Sequence, residues 1–519
     1  RQMLDEFLST LRGDGLEALM RKAWRVPADQ RLKATQQMAD ALTNLVRTVW
    51  QEMELAGEAG SLLKIEETLR NAIATARKES EEKSPLFQVL EYGLDEPMKE
   101  QYVQLVAGND IDFFNRAEVL VLAALKDYAE QAVNGESYQR QLFAGDAIQG
   151  FDFINLCRKS YDVVLMNPPF GVFVRGVQSY SKKNYPETYN DVFAAFIDRY
   201  LDKLANTGKL GAITSRNGFF LGSFQRWRNE VLLKKGQLQV VADLGQDVMD
   251  DAMVEAAAYC LTKKEHASPE NTYFIRLLGA QVREDALFRE ISYITHGQMS
   301  KNLFLKNVDE FKILRLTPFA YWVSDEIITS LAKVGTLDPD AAIVRCGLST
   351  GNNDRFVRVL WEIPNGLLLK RWFPLVMTGT SQPWYSPLLV VVDWYKKGDY
   401  LSAFPGSTLR STELYLRPGI SWTRRAVRFI PYAIPSGCIP SASRYMAFPK
   451  RGHEYSILGI AGSNMAGSYL RFFGEKFSFP NYLVDSVKSL PWLDLDQKLS
   501  DQLEAFVKQQ IKSRRDAYQ

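Results

Sequence analysis

The stretch YDVVLMNPPFG at residues 161–171 places groups that could do chemistry directly after an apolar run. The side-chain oxygen of Asn167 and the backbone carbonyl of Pro168 are two hydrogen-bond acceptors on neighbouring residues. Together they could hold both N–H groups of an aromatic amine while its nitrogen becomes tetrahedral and attacks. The ring of Pro169 fixes its own φ and restricts Pro168, so the acceptor carbonyl is held in a narrow range of directions.

Phe170 follows these acceptors and offers a flat apolar face. A base extruded from a duplex could stack on such a ring, which is worth ~1–3 kcal/mol. Attack of the amine on a sulfonium methyl would need no general base, since the nitrogen can lose its proton after the transfer. The stretch therefore predicts methyl transfer to an extruded nucleobase, with the catalytic residues Asn167, Pro168, Pro169 and Phe170. The alternative is a simple turn, because Asn and Pro favour loops.

Around this stretch, short apolar runs and amphipathic segments alternate along residues 136–265. The runs YDVVLM, KLGAITS, LQVVADL and EAAAYCLT are typical of buried strands, whereas DVFAAFIDRYLDKLAN and FQRWRNEVLLKK are typical of helices. This alternation predicts an α/β domain with a mainly parallel sheet, whose ligands bind at the carboxyl ends of the strands. Because Asn167 is at such an end, we interpret residues 136–265 as the catalytic core.

The composition of the 519 residues, 46% hydrophobic and 24% charged, is ordinary for a globular protein of several domains. No apolar run has the length of a membrane span, so no membrane segment is expected. The four cysteines form no CxxC pair and the three histidines lack metal-ligand spacing, so we predict neither a disulfide framework nor a metal site. This cysteine usage fits a reducing cytoplasm.

Three further segments lie outside the catalytic core and outside residues 341–495. Residues 1–135 place apolar side chains at helical spacing, which predicts a helical region to which we assign no chemistry. We interpret residues 266–340 as a connector and residues 496–519 as a C-terminal helix. The sequence begins at Arg1 with no initiator Met, so we interpret it as a fragment.

Residues 341–495 are rich in Trp, Gly, Pro and short strand-like runs, which predicts a β-rich module that presents loops. Within it, residues 411–450 carry six Lys or Arg against one acid, although the whole chain has a net charge of only +2. This local excess predicts a nucleic-acid surface with the candidate contacts Arg417, Arg424, Arg425 and Arg428. The polar loop GLSTGNNDRF could reach phosphates or base edges through Asn352, Asn353 and Arg355. Alternatively, the tryptophans pack the core and the arginines lie across it.

The NPPF stretch resembles motif IV of the amino-methyltransferases that use S-adenosylmethionine to methylate the N6 of adenine in DNA. The resemblance implies a Rossmann-like α/β domain and S-adenosylmethionine as cofactor. It also implies that Asp146 and Ala147 of LFAGDAI contact the cofactor adenine, because that family keeps an acidic residue there. In the run GNDIDFFNRAEV, Asp110 is the candidate for the acidic residue that binds the cofactor ribose.

Further segments after residue 340 resemble one group of these enzymes. RCGLSTGNNDRFVRVLWE, YLRPGISWTRRAV and RFFGEKFSFPNYLVDSVKSLPW are similar to the C-terminal half of the PglX-like methyltransferases of BREX, DISARM and type IIG systems. The resemblance covers most of residues 140–495 in the expected order. It implies site-specific adenine methylation of double-stranded DNA with a flipped adenine, residues 341–495 as the target-recognition module, and other phage-defence subunits as partners.

The sequence departs from that family in one respect, because it has no DPxxGxG-like segment to hold the methionine part of the cofactor. We expect this glycine loop to precede Arg1, in which case the fragment alone would be inactive. Two alternatives stay open. The chain could be an inactive DNA-binding or assembly subunit, or it could methylate RNA or a protein glutamine, since related NPP[YF] sites do both.

Overall fold

The computed structural model describes residues 2–12, 14–24, 36–83, 117, 120–121, 123–124, 127, 149, 153–154, 156–249, 254–263, 271–377, 382–450, 452–473 and 480–518. Contacts divide the chain into two compact units, Arg1–Asp162 with Gly171–Ala205, and Val163–Phe170 with Asn206–Gln519. No helix in these described ranges is both long enough and apolar enough to cross a membrane.

The first unit is helical, as the apolar spacing of its sequence predicts. Its helices are α1 (Gln2–Thr10), α2 (Asp14–Trp24), α3 (Gln36–Met53), α4 (Ala56–Ala59), α5 (Ile65–Lys83), α6 (Gln178–Asn184) and α7 (Val192–Asp202). One apolar cluster joins them, with Phe7, Leu16, Leu42 and Leu63 fully buried. Burial of these apolar faces provides the main stabilisation of the unit.

A buried ion cluster also stabilises this unit. Both oxygens of Glu66, in α5, accept hydrogen bonds from Arg199 of α7, at 2.6 and 2.9 Å, and Lys203 contacts the same carboxylate at 2.6 Å. Burial by itself raises the pKa of Glu66, but the hydrogen bonds from Arg199 and Lys203 outweigh it, and the net shift is downward. Glu66 therefore stays charged and connects α5 to α7.

The second unit contains a six-stranded sheet in the order β1-β2-β4-β3-β5-β6. Its strands are β1 (Tyr161–Met166), β2 (Leu204–Ser215), β3 (Gly236–Gly245), β4 (Ala256–Lys263), β5 (Asn271–Arg276) and β6 (Leu303–Asn307). The first four contain the apolar runs that the sequence identified as strands. Helix α8 (Trp227–Lys235) precedes β3, as predicted, and has π-type winding.

The sheet is mixed, which corrects the prediction that it is mainly parallel. Strand β4 lies between β2 and β3 and is antiparallel to both, and β5 is parallel to β3 but antiparallel to β6. An apolar run carries no information about its direction, because a strand buried on both faces has the same composition in either orientation. The α/β character of the domain is unaffected.

Residues that the sequence placed in a connector extend this sheet. Strands β5 and β6 lie within residues 266–340, together with helices α9 (Arg283–Thr295) and α10 (Asp325–Leu331). Leu277 and Leu303 pack with Ala286 of α9 in one apolar cluster. The six-stranded sheet therefore continues beyond residue 265, the boundary that the sequence predicted for the catalytic core.

From residue 335 onward the chain is rich in short strands, most of which lie in the β-rich module predicted for residues 341–495. Two sheets have the orders β15-β10-β12-β9 and β11-β14-β13-β16-β8, and a two-stranded sheet pairs β17 with β7. The strands are β7 (Gly335–Thr336), β8 (Ala342–Arg345), β9 (Val357–Val359), β10 (Trp372–Val376), β11 (Trp384–Tyr385), β12 (Val390–Asp393), β13 (Gly419–Trp422), β14 (Pro431–Ile434), β15 (Ile439–Pro440), β16 (Met446–Pro449) and β17 (Pro491–Trp492).

Short helices separate these strands, and one long helix follows them. They are α11 (Asn353–Phe356), α12 (Asp399–Ser402), α13 (Glu454–Ala461), α14 (Asn464–Leu470), α15 (Val484–Lys488) and α16 (Gln497–Asp516). The side chain of Asp496 caps α16 by accepting the N–H of Leu499 at 2.9 Å. The predicted domain boundaries at residues 341 and 496 fall just before β8 and α16.

Candidate functional site

The four residues of the NPPF stretch follow directly after β1, at its carboxyl end. Asn167 is exposed, Pro168 is buried and Phe170 is half-buried. Within the described parts of the chain, no group donates a hydrogen bond to the Asn167 side chain or to the Pro168 carbonyl. Two acceptor oxygens on adjacent residues thus have no donor in the described parts of the chain, and two acceptors are what an amine with two N–H groups requires.

Gly171 ends this stretch and is fixed by the start of helix α7. Its N–H donates to Asp191 Oδ1 at 3.1 Å, and its carbonyl accepts the N–H of Val192 at 2.8 Å. The φ of Gly171 is +111°, a conformation that strains residues with a Cβ. Asp191 also caps α7 by accepting the N–H of Phe193 at 3.2 Å. Burial raises the pKa of Asp191, against the lowering effect of these backbone hydrogen bonds.

The carboxyl ends of β1, β2 and β3 share one edge of the sheet. The N–H of Tyr161, at the start of β1, donates to the carbonyl of Lys203, which immediately precedes β2, at 2.9 Å. The two strands therefore begin side by side and run in the same direction. Strands β2 and β3 are both antiparallel to β4, so their ends coincide as well. Asn167 thus lies on the edge where α/β sheets bind ligands.

A buried charge network occupies the same edge. Arg216, directly after β2, donates to both carboxylate oxygens of Asp243 in β3, at 2.6 and 2.7 Å, and to Glu255 before β4, at 2.9 Å. The hydroxyl of Tyr321 donates to Asp243 at 2.8 Å. Burial by itself would lower the pKa of Arg216, but both carboxylates outweigh it and the net shift is upward. The network therefore joins the ends of three strands.

A second buried arginine supports the chain that follows β2. Arg228 of α8 is fully buried and donates to four backbone carbonyls, those of Gly218, Leu221, Leu316 and Thr317. Burial lowers the pKa of its guanidinium to about 9, so it remains charged at neutral pH. Leu316 and Thr317 have φ values of +65° and +49°. The hydrogen bonds from Arg228 stabilise this left-handed pair.

An open cavity of about 600 Å³ lies on one face of the sheet, with Asn167 among its lining residues. The other lining residues are Leu165, Met166, Gly211, Ala212, Ile213, Val240, Ala242, Ala258, Tyr259, Cys260, Ile275, Leu287 and Ile291. None of these side chains carries a charge at neutral pH. The cavity therefore suits flat apolar rings and offers no partner for the charged amino-acid end of a sulfonium cofactor.

The candidate cofactor residues Asp110, Asp146 and Ala147 lie outside the described residues. Their roles stay predictions.

The polar loop of the β-rich region forms one turn that uses its asparagines structurally. Asn352 Oδ1 accepts the N–H of Arg355 at 3.0 Å and caps α11, and Asn353 Oδ1 accepts the Thr350 hydroxyl at 2.5 Å. The Arg355 guanidinium lies over the rings of Phe356 and Phe404, at 5.3 and 5.2 Å. All three candidates are exposed, but their acceptor oxygens are already engaged, so Arg355 and the amide N–H groups remain as donors.

The four candidate arginines fall into two groups. Arg424 is half-buried, donates to Asn481 Oδ1 at 3.3 Å and lies 5.9 Å from the Tyr445 ring centroid. The side chains of Arg417, Arg425 and Arg428 are exposed and pair with no carboxylate in the described parts of the chain. Of the six tryptophans in residues 341–495, four are buried: Trp372, Trp394, Trp422 and Trp492. This arrangement favours Arg417, Arg425 and Arg428 over Arg424 as contacts with a polyanion.

Sequence reasoning assigned no role to three features of the site: Asp191, the pairing of Arg216 with Asp243, and Tyr321. The capping role of Asp191 could have been predicted from the sequence, since an Asp directly before an apolar helical run is a typical N-cap. The sequence gives a weaker indication of the pairing between Arg216 and Asp243, because polar residues at the ends of two neighbouring strands are expected to meet. No sequence pattern indicates the contact of Tyr321, because it is 78 residues from its partner Asp243.

Comparison with known proteins shows that the segment containing the NPPF stretch is similar to a family of methylases. The Eco57I restriction-modification methylase family matches residues 102–249. The chain is 25% identical to the adenine-specific methyltransferase BrxX of Escherichia coli O9:H4 (strain HS), over 67% of this chain and 29% of that protein. It is 22% identical to the adenine-specific methyltransferase PglX of Lacticaseibacillus casei (strain Zhang), over 47% of this chain and 21% of that protein.

A solved structure of similar fold is the type IIL restriction-modification enzyme MmeI in complex with DNA. It is 12% identical, with a TM-score of 0.48, over 98% of this chain and 74% of that chain. The present chain spans less than a third of the length of the two curated relatives. The observed sheet and the methylase match confirm the α/β methyltransferase fold class predicted from the sequence. The chain is thus similar in sequence to the adenine-specific methyltransferases BrxX and PglX, as its motifs predicted.

Proposed function

We propose that the protein transfers a methyl group from S-adenosylmethionine to the N6 amine of an adenine flipped out of double-stranded DNA. The observation that carries the proposal is the pair of acceptor oxygens, on Asn167 and Pro168 at the carboxyl end of β1, that accept no hydrogen bond from the described residues. The similarity to BrxX and PglX supports adenine as the base. Transfer of tritiated methyl groups to DNA by the protein expressed from its complete gene tests the proposal, and unlabelled DNA would contradict it.

The residues of the site act on the amine and on the base. Asn167 and Pro168 each accept one N–H, and these hydrogen bonds strengthen as the nitrogen becomes tetrahedral, so they stabilise the transition state more than the ground state. Phe170 stacks on the base and orients it. Gly171 and Asp191 hold the end of the stretch at the start of α7. S-adenosylmethionine supplies the methyl group on its sulfonium.

The described residues fit the amine side of this reaction. The charge-free lining of the cavity beside Asn167 does not fit the amino-acid end of the cofactor. Asp110, Asp146 and Ala147 are the proposed contacts with the ribose and adenine of S-adenosylmethionine. All three lie within the segment that matches the methylase family.

The β-rich region is the proposed target-recognition module. Its exposed arginines Arg417, Arg425 and Arg428 are free to contact phosphates, and Arg355 is the donor best placed to contact a base edge. The similarity to the adenine-specific methyltransferases BrxX and PglX supports adenine methylation. A role in phage defence in the bacterial cytoplasm, with other defence subunits as partners, is a further part of the proposal.

Replacing Phe170 by alanine is expected to weaken capture of the extruded adenine roughly 5- to 160-fold, because a stacked base contributes about 1–3 kcal/mol. Phe170→Tyr and Phe170→Trp should be tolerated, since either ring supplies a flat face. Fluorescence of 2-aminopurine at the target position measures extrusion. Phe506→Ala, which removes an exposed phenylalanine of α16, is the control. An unchanged signal in Phe170→Ala would show that this ring does not contact the base.

Neutralising Arg417, Arg425 and Arg428 together should weaken binding to all duplexes and reduce the slope of log K against log salt by roughly 2.7, or 0.9 for each phosphate contact. Sequence preference should barely change, because phosphate contacts carry no sequence information. Titrations at several salt concentrations measure the slope. The control replaces Lys498, Lys512 and Arg514 of α16, which removes the same charge. An unchanged slope in the first variant would place the phosphate contacts elsewhere.

A further inference from the structure

The β-rich region has a second basic surface, within residues 371–400. It precedes the candidate arginines at positions 417–428 in the chain. It consists of Arg371, Tyr395, Lys396, Lys397 and Tyr400, which we call the Tyr395 patch. We propose that this patch binds a DNA strand with unpaired bases, through phosphate contacts from the two lysines and stacking of a base on Tyr400. The inference rests on the proposed function, because DNA is the substrate there.

The aromatic side chains of the patch present exposed, nearly parallel faces. The ring centroids of Tyr395 and Tyr400 are 6.4 Å apart with an interplanar angle of 13°. Tyr400 is 63% exposed and Tyr395 is 41% exposed. The cations of Arg371 and Lys396 lie 5.8 and 5.7 Å from the Tyr395 ring centroid. Exposed rings next to cations are the usual platform for unstacked bases.

The backbone holds the two lysines in an unusual conformation. Lys396 and Lys397 have φ values of +49° and +58°, and Gly398 follows with +84°. Left-handed residues other than glycine are strained and persist only where their surroundings determine them. Strained residues cluster at functional sites, so their presence at this exposed loop suggests a function there.

Packing and hydrogen bonds hold the loop around Lys396 and Lys397 in place. A Cβ on Gly398 would come within 2.4 Å of the Trp394 ring, so the chain packs directly against that buried side chain. The N–H of Trp394 donates to the carbonyl of Arg371 at 2.8 Å, and the N–H of Tyr395 donates to Asp393 at 3.2 Å. The two lysines are therefore presented by a rigid loop, which lowers the entropy cost of binding a ligand.

The charges of the patch suit a polyanion. Asp393 neutralises Arg371 through a contact of 2.8 Å. Lys396 and Lys397 have no ion-pair partner among the residues that the structure describes. Two uncompensated cations beside an exposed ring match the repeating phosphate and base of a nucleic-acid strand better than a lone phosphate or an acidic peptide, because these lack a planar base.

The test measures binding of the protein to a fluorescent single-stranded DNA and to its duplex over a series of salt concentrations. Replacing Lys396 and Lys397 by alanine should reduce the salt slope on the single strand by roughly 1.4, or 0.7 for each contact. Tyr400→Ala should weaken single-strand binding roughly 5- to 160-fold, and Tyr400→Phe should bind like the unsubstituted protein, because only the ring face is needed.

The control replaces Lys234 and Lys235, an adjacent exposed pair in α8, and should leave the slope unchanged. Normal DNA binding and an unchanged slope in the Lys396/Lys397 variant would overturn the inference and leave the proposed function intact. Equal binding by Tyr400→Ala and the unsubstituted protein would also overturn it. Failure of the unsubstituted protein to bind either DNA would overturn both proposals.

Discussion

Replacing Asn167 by alanine is expected to lower the rate of methyl transfer by roughly 10²- to 10³-fold, the usual cost of removing one preorganised transition-state hydrogen bond. The physical reason is that the Asn167 oxygen accepts an amine N–H whose hydrogen bond strengthens as the nitrogen attacks. The Pro168 carbonyl remains in the variant, so some activity should persist. Binding of DNA should be retained, because the proposed phosphate contacts lie in the β-rich region.

Tritium transfer from the cofactor to DNA under single-turnover conditions measures this rate. The matched control is Asn206→Ala, which removes an exposed asparagine near the start of β2, at the opposite edge of the sheet. It should react at the rate of the unsubstituted protein. A normal rate in Asn167→Ala would remove this residue from the chemistry.

Replacing Arg216 by methionine is expected to lower the free energy of unfolding by roughly 3–5 kcal/mol. The substitution keeps most of the side-chain volume but leaves two buried carboxylates, Asp243 and Glu255, without their cation. A carboxylate without a partner in a buried site must either stay charged at high cost or take up a proton. Because the network joins the ends of β2, β3 and β4, we also expect methyl transfer to fall.

Urea denaturation measures the change in stability, and Arg371→Met is the matched control. Arg371 also pairs with an aspartate, Asp393, but its side chain is 46% exposed, whereas that of Arg216 is 1% exposed. Exposed pairs contribute at most about 1 kcal/mol. Equal losses in the two variants would show that the Arg216 network does not stabilise the sheet edge.

Local features of this protein could be predicted from its sequence. The run YDVVLM corresponds to β1 residue for residue, because an apolar run that ends in Asn-Pro-Pro cannot continue as a strand. The helices of the first unit follow from apolar spacing. The polar segment at Asn352 forms an exposed turn, but Asn352 caps a helix turn, a role that the Asx pattern also allows.

Long-range features could not be predicted in this way. The antiparallel direction of β4 and the addition of β5 and β6 depend on which strands pair, and that choice is made by packing over the whole sheet. The Arg216 network joins residues that are distant in the chain. The exposure of Arg425 beside the half-buried Arg424 depends on contacts with Asn481, which no local pattern indicates.

Identification of the methylated nucleoside tests the central claim most directly. The protein, expressed from its complete gene, is incubated with duplex DNA and S-adenosylmethionine labelled in the methyl group. The DNA is then digested to nucleosides and analysed by mass spectrometry. The account predicts label in N6-methyl-2′-deoxyadenosine from the DNA, formed roughly 10²- to 10³-fold more slowly with Asn167→Ala. Label in a methylated cytosine, or in RNA or protein and not in DNA, would contradict it.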